Sequence, residues 1–441
     1  MDLRERILRR VARPPEQLGL ILTGLVLVCL ITGLAGLLDV QHRRDVLVGV
    51  ADRSSPLAGA ALTVYQSLSD ADAIATGAFL TGDQAPADLR ARYRTDITEA
   101  ASALSTAAAG APDVKTATAV AELTALLPMY TGIVEKAETN NLLQKSVGAA
   151  YLRESSGLVR ERMLPVAQQL FRDEMVRLSV AQDDAGSLAW FPLTIGGLAL
   201  IALLASQVYL RRTTNRTLNA GLLGASVAVV AALTWLVAAS ATAVGHNDAG
   251  REGGSVPLEA LAEARITVLT ARSEEALSLV ARGNGQRYED GYKQARQRLD
   301  GDKAQLGSFA AALDRIGDAP IRSTVESAVG TWQRWRTDHQ QLRELDDKGE
   351  YIKAVRLATG VDTTLQEAMP AKIEQDNTGT LAADVDKKLG EAVGQAQSVF
   401  DDQAARAVNS LSVADVGIAI LMLLACAGVA FGMAPRIREY R

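Results

Sequence analysis

Residues 54–83 read SSPLAGAALTVYQSLSDADAIATGAFLTGD, and 201 positions further on residues 255–284 read SVPLEALAEARITVLTARSEEALSLVARGN. Aligned without a gap, the two stretches share the opening Ser, the Pro-Leu pair, an apolar stripe and the closing Gly, with seven of thirty positions identical. Alone that likeness is thin. Its weight comes from what flanks each copy.

Four uncharged apolar runs, about Leu18–Leu38, Leu188–Leu210, Leu218–Val244 and Val416–Ala434, are long enough to cross a bilayer. A hydrocarbon core of roughly 30 Å needs about 20 helical residues. The first run is longer than the h-region of a signal peptide and lacks a small-x-small cleavage site before Asp39, so it reads as an uncleaved anchor. Shifting that run by 201 residues lands it on the third, at 219–239. The chain is therefore expected to be one unit made twice: span, external region, span. GLVRERMLPVAQQL at 157–170 and GVDTTLQEAMPAKI at 360–373 are a weaker second echo.

Charge sets the expected orientation. The segments 1–17, 211–217 and 435–441 together carry a net charge of +7, while 39–187 carries −5 and 245–415 carries −7. By the positive-inside rule, both termini and the short loop face the cytoplasm, and both long acidic regions lie outside. External acidity argues against nucleic acid as a partner. Cys29 and Cys426 both fall inside spans, so no disulfide holds the external regions and packing alone must fold them.

Inside those regions the period is helical. Leu57, Ala61, Val64, Leu68, Ala71, Ala75 and Ala78 form one stripe, and Leu381, Val385, Leu389, Ala392, Ala396 and Val399 form another. Breakers divide 39–187 into helices at 50–81, 87–108, 113–138 and 158–187. They divide 245–415 into 256–282, 286–314, 320–346 and 361–412, with a short helix at 350–358. The fold class expected is an all-α membrane protein with four transmembrane helices and two tandem, chemoreceptor-like up-down four-helix bundles. In order, the domains are a basic tail (1–17), a span (18–38), bundle one (39–187), a span (188–210) and a loop (211–217). A third span (218–244), bundle two (245–415), a fourth span (416–434) and a tail (435–441) follow. The last helix is expected to run unbroken from about Leu381 to Ala434, roughly 80 Å of rod.

No enzyme signature is present. His42, His246 and His339 are scattered without metal spacing, and no GxSxG, P-loop or GxGxxG has a strand–turn–helix context. No cofactor is expected. The spans hold no charged residue or histidine, which argues against a channel or transporter.

Some residues stand out. Projecting the first stripe by 201 residues places Arg265 and Arg272 where the first copy has Val64 and Ala71. They are candidates for a carboxylate-binding site between helices; the plainer reading has them snorkel or pair with carboxylates such as Glu274 or Glu275. Trp332, Arg334, Trp335 and Arg336, in TWQRWRTDHQQ at 331–341, suit a protein-docking hot spot or, more plainly, core filling. Gly428 and Gly432 form a GxxxG suited to close helix packing. Arg211, Arg212 and Arg216 determine topology and are candidates to dock a cytoplasmic partner.

The tandem span–bundle–span plan, SSPLAGA with its copy SVPLEAL, and AAYLRESSGLVRERMLPVAQQL at 149–170 resemble the actinobacterial GlnX family across nearly the whole chain. That resemblance implies a relay of amino-acid availability. An external lipoprotein that binds glutamine, glutamate or aspartate would act on the chain, which would inform a cytoplasmic Ser/Thr protein kinase. It implies no site residue. A homodimer in the plasma membrane, surrounded by membrane lipids, is compatible with the plan. A structural scaffold of the cell envelope and an accessory transporter subunit are the rival classes.

Overall fold

The computed structural model describes residues 14–82, 87–186, 189–214, 219–302, 304–361 and 377–439. Among them the chain is almost wholly helical, and the single isolated β-bridge joins Gly301 to Leu306. The tail ahead of Pro14, Arg216, Arg441 and most of the 360–373 echo lie outside the described residues.

The chain divides into two compact units. One comprises residues up to Gly49, Ala181–Asp248 and Gln403 onward; the other comprises Val50–Val180 and Ala249–Asp402.

The first unit holds the apolar helices α1 (Pro14–Gly49), α7 (Trp190–Thr214), α8 (Ala220–Gly250) and the C-terminal part of α14 (Thr378–Glu439). Its core is built from Leu25, Cys29, Leu203, Val229, Leu236 and Met422, among others. Leu27, Leu34, Ile201, Val227, Leu423 and Phe431 are exposed. Apolar residues inside and apolar residues outside are what a lipid solvent requires, because water would expel the outer set.

Helices in the second unit come from both copies of the repeat. The first copy gives α2 (Ser55–Thr81), α3 (Ala87–Gly110), α4 (Val114–Leu142), α5 (Val147–Leu158) and α6 (Leu164–Ala185), the last ending in the other unit. The second gives α9 (Val256–Val280), α10 (Gln286–Asp300), α11 (Ser308–Arg315), α12 (Ala319–Asp347), α13 (Tyr351–Thr359) and the start of α14. The described parts of 50–180 and 249–402 therefore share one compact unit, in which α2 packs on α9.

Among the described residues, five helical stretches are long and apolar enough to cross a membrane, one more than the sequence reading assigns. The addition is α4, which lies in the second unit. It buries Leu123, Leu126, Leu127 and Tyr130 and carries Lys115, Glu122, Glu135, Lys136 and Glu138.

Among the described residues, three π-helical turns occur, at Val50–Ser54, Val159–Met163 and Arg251–Ser255. The first and third are 201 residues apart, so the duplication extends to a backbone irregularity. Each ends two residues before a proline: Pro56, Pro165 and Pro257. Proline lacks an N–H and its ring crowds the carbonyl four residues back. A switch to five-residue spacing absorbs both problems. Accordingly Leu164 N–H donates to the Val159 carbonyl and Val256 N–H to that of Arg251. The third turn also lies close to α14: a Cβ on Gly254 would fall 2.6 Å from Phe400 Cβ and 2.8 Å from its Cα.

Two helix boundaries differ from expectation. The segment 140–157, read as a break, is helical from Val147; the turn is confined to Leu143–Ser146, where Gln144 has φ 54°. The predicted helix 286–314 is two helices. Gly301 stops α10 at φ 77°, and Asp302 Oδ1 accepts from the N–H groups of Ala304 and Gln305 to fix the turn. The short helix expected at 350–358 is present as α13, and α14 runs unbroken for 62 residues.

Candidate functional site

The repeats meet along α2 and α9. Helix α2 presents Leu57, Ala61, Val64, Leu68 and Ala71, all buried. Helix α9 is buried almost all round and packs against α2, α10, α11 and α13. A helix enclosed on every side sits at the centre of its unit.

Polar groups cross between the copies. Arg272 Nη1 donates to Asp70 Oδ1 at 2.6 Å, and Arg287 Nη2 to Glu161 Oε1 at 3.0 Å. Arg160, in the second π-turn, donates to Glu274, and Tyr65 Oη lies 3.4 Å from Thr270 Oγ1. Gly291 makes the position of Glu274 possible, since a Cβ there would come within 2.5 Å of its carboxyl carbon.

Burial sets the proton affinities. Asp72, 2 % exposed, accepts from Ser156 Oγ at 2.7 Å; burial pushes its carboxyl up to about 6, and Ser156 and Arg160 only partly oppose this. Asp70 is raised by burial despite the Arg272 guanidinium. Burial and then the neighbouring Asp70 charge push Asp96 up to about 7.

A second polar cluster lies within the second repeat. His339 is 3 % exposed, with Nδ1 2.7 Å from Glu275 Oε2 and Nε2 3.2 Å from Glu289 Oε2. A carboxylate oxygen at each ring nitrogen is an arrangement that favours the doubly protonated ring, in which both nitrogens donate. Burial favours the neutral ring, yet the two carboxylates outweigh it and hold His339 above its ordinary range. Tyr292 stacks on the ring with centroids 3.5 Å apart, and Trp335 Nε1 donates to Glu275 at 2.9 Å.

Two adjoining cavities open between the repeats, sharing Tyr65, Gln168 and Thr270. The larger, about 640 Å³, is also lined by Arg172, Glu263, Arg298 and Arg315. The smaller, about 200 Å³, reaches Asp72, Arg160, Ser273 and Arg287.

The residues singled out in the sequence are placed as follows. Arg265 is buried and grips Asp386 of α14 with two bonds, 2.7 and 3.1 Å; Arg272 pairs with Asp70. Neither uses Glu274 or Glu275, which are taken by Arg160 and by His339 with Trp335. Trp332 and Trp335 fill the core at 1 % and 0 % exposure, and Trp332 Nε1 donates to Asp300 at 2.7 Å. Arg336 pairs with Asp300 at 2.8 Å and Arg334 donates to Thr331 at 3.3 Å. In the apolar unit, Gly428 and Gly432 lie against Gly221: a Cβ on Gly221 would come within 2.5 Å of backbone atoms of both. Arg211 and Arg212 are exposed in the last turn of α7.

Sequence reasoning missed Asp70, Asp72, Arg160 and the Glu275–His339–Glu289 cluster. The signal available for Asp70 and Asp72 was a pair of acids on the helix that carries the duplicated stripe.

Residues 47–183 match the family model of an actinobacterial sensor domain. No curated protein and no solved structure matches the chain. The match starts just before the first π-turn and ends in α6, so it covers most of the connection between the first two apolar runs of the first repeat. The chain is thus a sensor-like, helical protein with several helices long and apolar enough to cross a membrane, similar over its first repeat to an actinobacterial sensor domain.

Proposed function

We propose that the protein is a four-span transmembrane relay that senses amino-acid availability outside the cell and reports it to a protein inside. The observation that carries this reading is the sensor-domain match over the repeat whose helix α2 packs on the second copy. The contact between copies is rich in charge pairs and flanked by cavities, the kind of contact that can exist in two arrangements. A signal shifts such an equilibrium only by binding the two arrangements unequally.

The finer reading follows the GlnX resemblance. Glutamine, glutamate or aspartate is presented by an external substrate-binding lipoprotein, and a cytoplasmic Ser/Thr protein kinase receives the output. The protein itself is proposed to be non-catalytic. Its test is crosslinked co-purification from native membranes, with partners identified by mass spectrometry in the presence and absence of each amino acid. Recovery of a solute-binding lipoprotein and a kinase, the lipoprotein in an amino-acid-dependent amount, is the expected result. Recovery of envelope-assembly proteins, unchanged by amino acid, would replace the relay with a scaffold; recovery of a channel-forming partner would make it a transporter subunit.

A further inference from the structure

Seven arginines of the second unit differ in whether a carboxylate holds them. Arg160, Arg265, Arg272 and Arg287 each hold a carboxylate of this chain. Arg172, Arg298 and Arg315 pair with none among the described residues, and all three line the cavity of about 640 Å³. They come from three helices: α6 of the first repeat, and α10 and α11 of the second.

Two acids share that wall. Asp302 is engaged, accepting from the N–H groups of Ala304 and Gln305 and, at 3.1 Å, from Gln297 Nε2. That leaves Glu263 against three guanidinium groups. Neutral donors and acceptors, Tyr65, Thr267, Gln168 and Gln294, complete a polar lining. The volume lies within the range of about 300–1,000 Å³ usual for small-molecule sites.

We propose that this cleft binds a small dicarboxylate, its two ends taken by arginines from opposite repeats. A guanidinium presents paired donors matched to a carboxylate. A surplus of positive charge in a concave site also concentrates anions there. A ligand with two charged ends suits arginines on separate helices; phosphate offers a single centre. Because Arg172 belongs to one repeat and Arg298 and Arg315 to the other, an occupied cleft favours the arrangement in which the repeats are closed on each other. This deepens the sensor reading and rests on it.

The experiment uses the full chain in lipid nanodiscs, following calorimetric binding and the thermal midpoint with glutarate, L-glutamate, butyrate and inorganic phosphate at equal ionic strength. Glutarate and L-glutamate are expected to bind and raise the midpoint by several degrees, while butyrate and phosphate leave it in place. Arg172→Gln and Arg298→Gln should each weaken glutarate binding roughly ten- to a hundred-fold, as expected for loss of a charge-assisted bond. Arg153→Gln, outside the cleft, should leave it unchanged. All three arginines are exposed, so the unliganded midpoint of each variant should stay near that of the parent. An equal shift with phosphate, glutarate binding that survives the Arg172→Gln, Arg298→Gln double variant, or no binding of either dicarboxylate would overturn the proposal. If co-purification still returned the lipoprotein and kinase, only the cleft ligand would be withdrawn and the relay would stand.

Discussion

Arg272 reaches Asp70 across 202 residues of sequence, joining the second repeat to the first at 2.6 Å. Each side chain is 19 % exposed, so both charges are largely out of water and each depends on the other. Arg272→Ala would leave Asp70 beside Asp96, another carboxyl already raised by burial. The expected loss is about 2–3 kcal/mol of unfolding free energy, less than for a fully buried pair. Asp70→Asn should cost less, and a double-mutant cycle should return a coupling of about 1 kcal/mol or more. Additive single effects would mean that the pair does not hold the repeats together.

Asp72 makes stability depend on pH in an unusual direction for a carboxylate. Its affinity for a proton is raised on folding, from 3.8 to about 6, so the folded state binds the extra proton between those values. Stability contributed by this group is therefore greatest below about 4 and falls as pH rises to about 6, by roughly 3 kcal/mol. Asp72→Asn keeps an acceptor for Ser156 and removes the titration. Denaturant midpoints at pH 4.5 and 7 should converge in the Asn variant relative to the parent; an identical pH slope in both would refute the assignment.

His339 works in the opposite sense. Its affinity for a proton is raised on folding above the ordinary 6.5, and Glu275, Glu289, Arg343 and Tyr292 are the titratable groups facing it. The stabilisation is complete below 6.5 and disappears as pH climbs through the higher folded value. His339→Gln should be markedly less stable than the parent at pH 6 and closer to it at pH 9. A difference that stays constant over that range would show that the ring is neutral.

Glycines at two positions should respond oppositely to alanine. A Cβ on Gly254 would meet Phe400 Cβ and backbone at 2.6–2.9 Å, so Gly254→Ala should cost about 1–3 kcal/mol. Gly59 lies inside α2 with open space around it, and Gly59→Ala should add about 0.5–1 kcal/mol through helix propensity. Thermal midpoints of the two variants should move apart; a shared direction would contradict the close approach at the third π-turn.

The helices and the duplication were legible because both are written in local spacing. The stripe Leu57, Ala61, Val64, Leu68 is buried as its period requires, and projecting it found Arg265 at a buried position. The turn at Gly301 was missed because a single Gly–Asp inside a polar helical stretch is a weak breaker until Asp302 folds back on its own backbone. The site was legible only in part. Two arginines displaced into a core stripe announce that carboxylates must be near, but not which ones: Asp386 and Asp70 are 121 and 202 residues from their partners. Likewise, His339 carries no local signature, since the two carboxylates that favour its protonated form lie on α9 and α10.

Fusion of the two copies into one chain has a consequence for symmetry. When two identical subunits meet about a twofold axis, every bond is made twice, and its mirror must fit as well. Here the bond from Arg272 to Asp70 has no mirror: the corresponding residues are Ala71 and Ala271, and neither carries a charge. The contact is lock and key rather than palindrome. Two halves that began alike have become unlike, so a stimulus at one half can be read differently from the same stimulus at the other, giving the molecule a built-in polarity that no pair of identical subunits could possess.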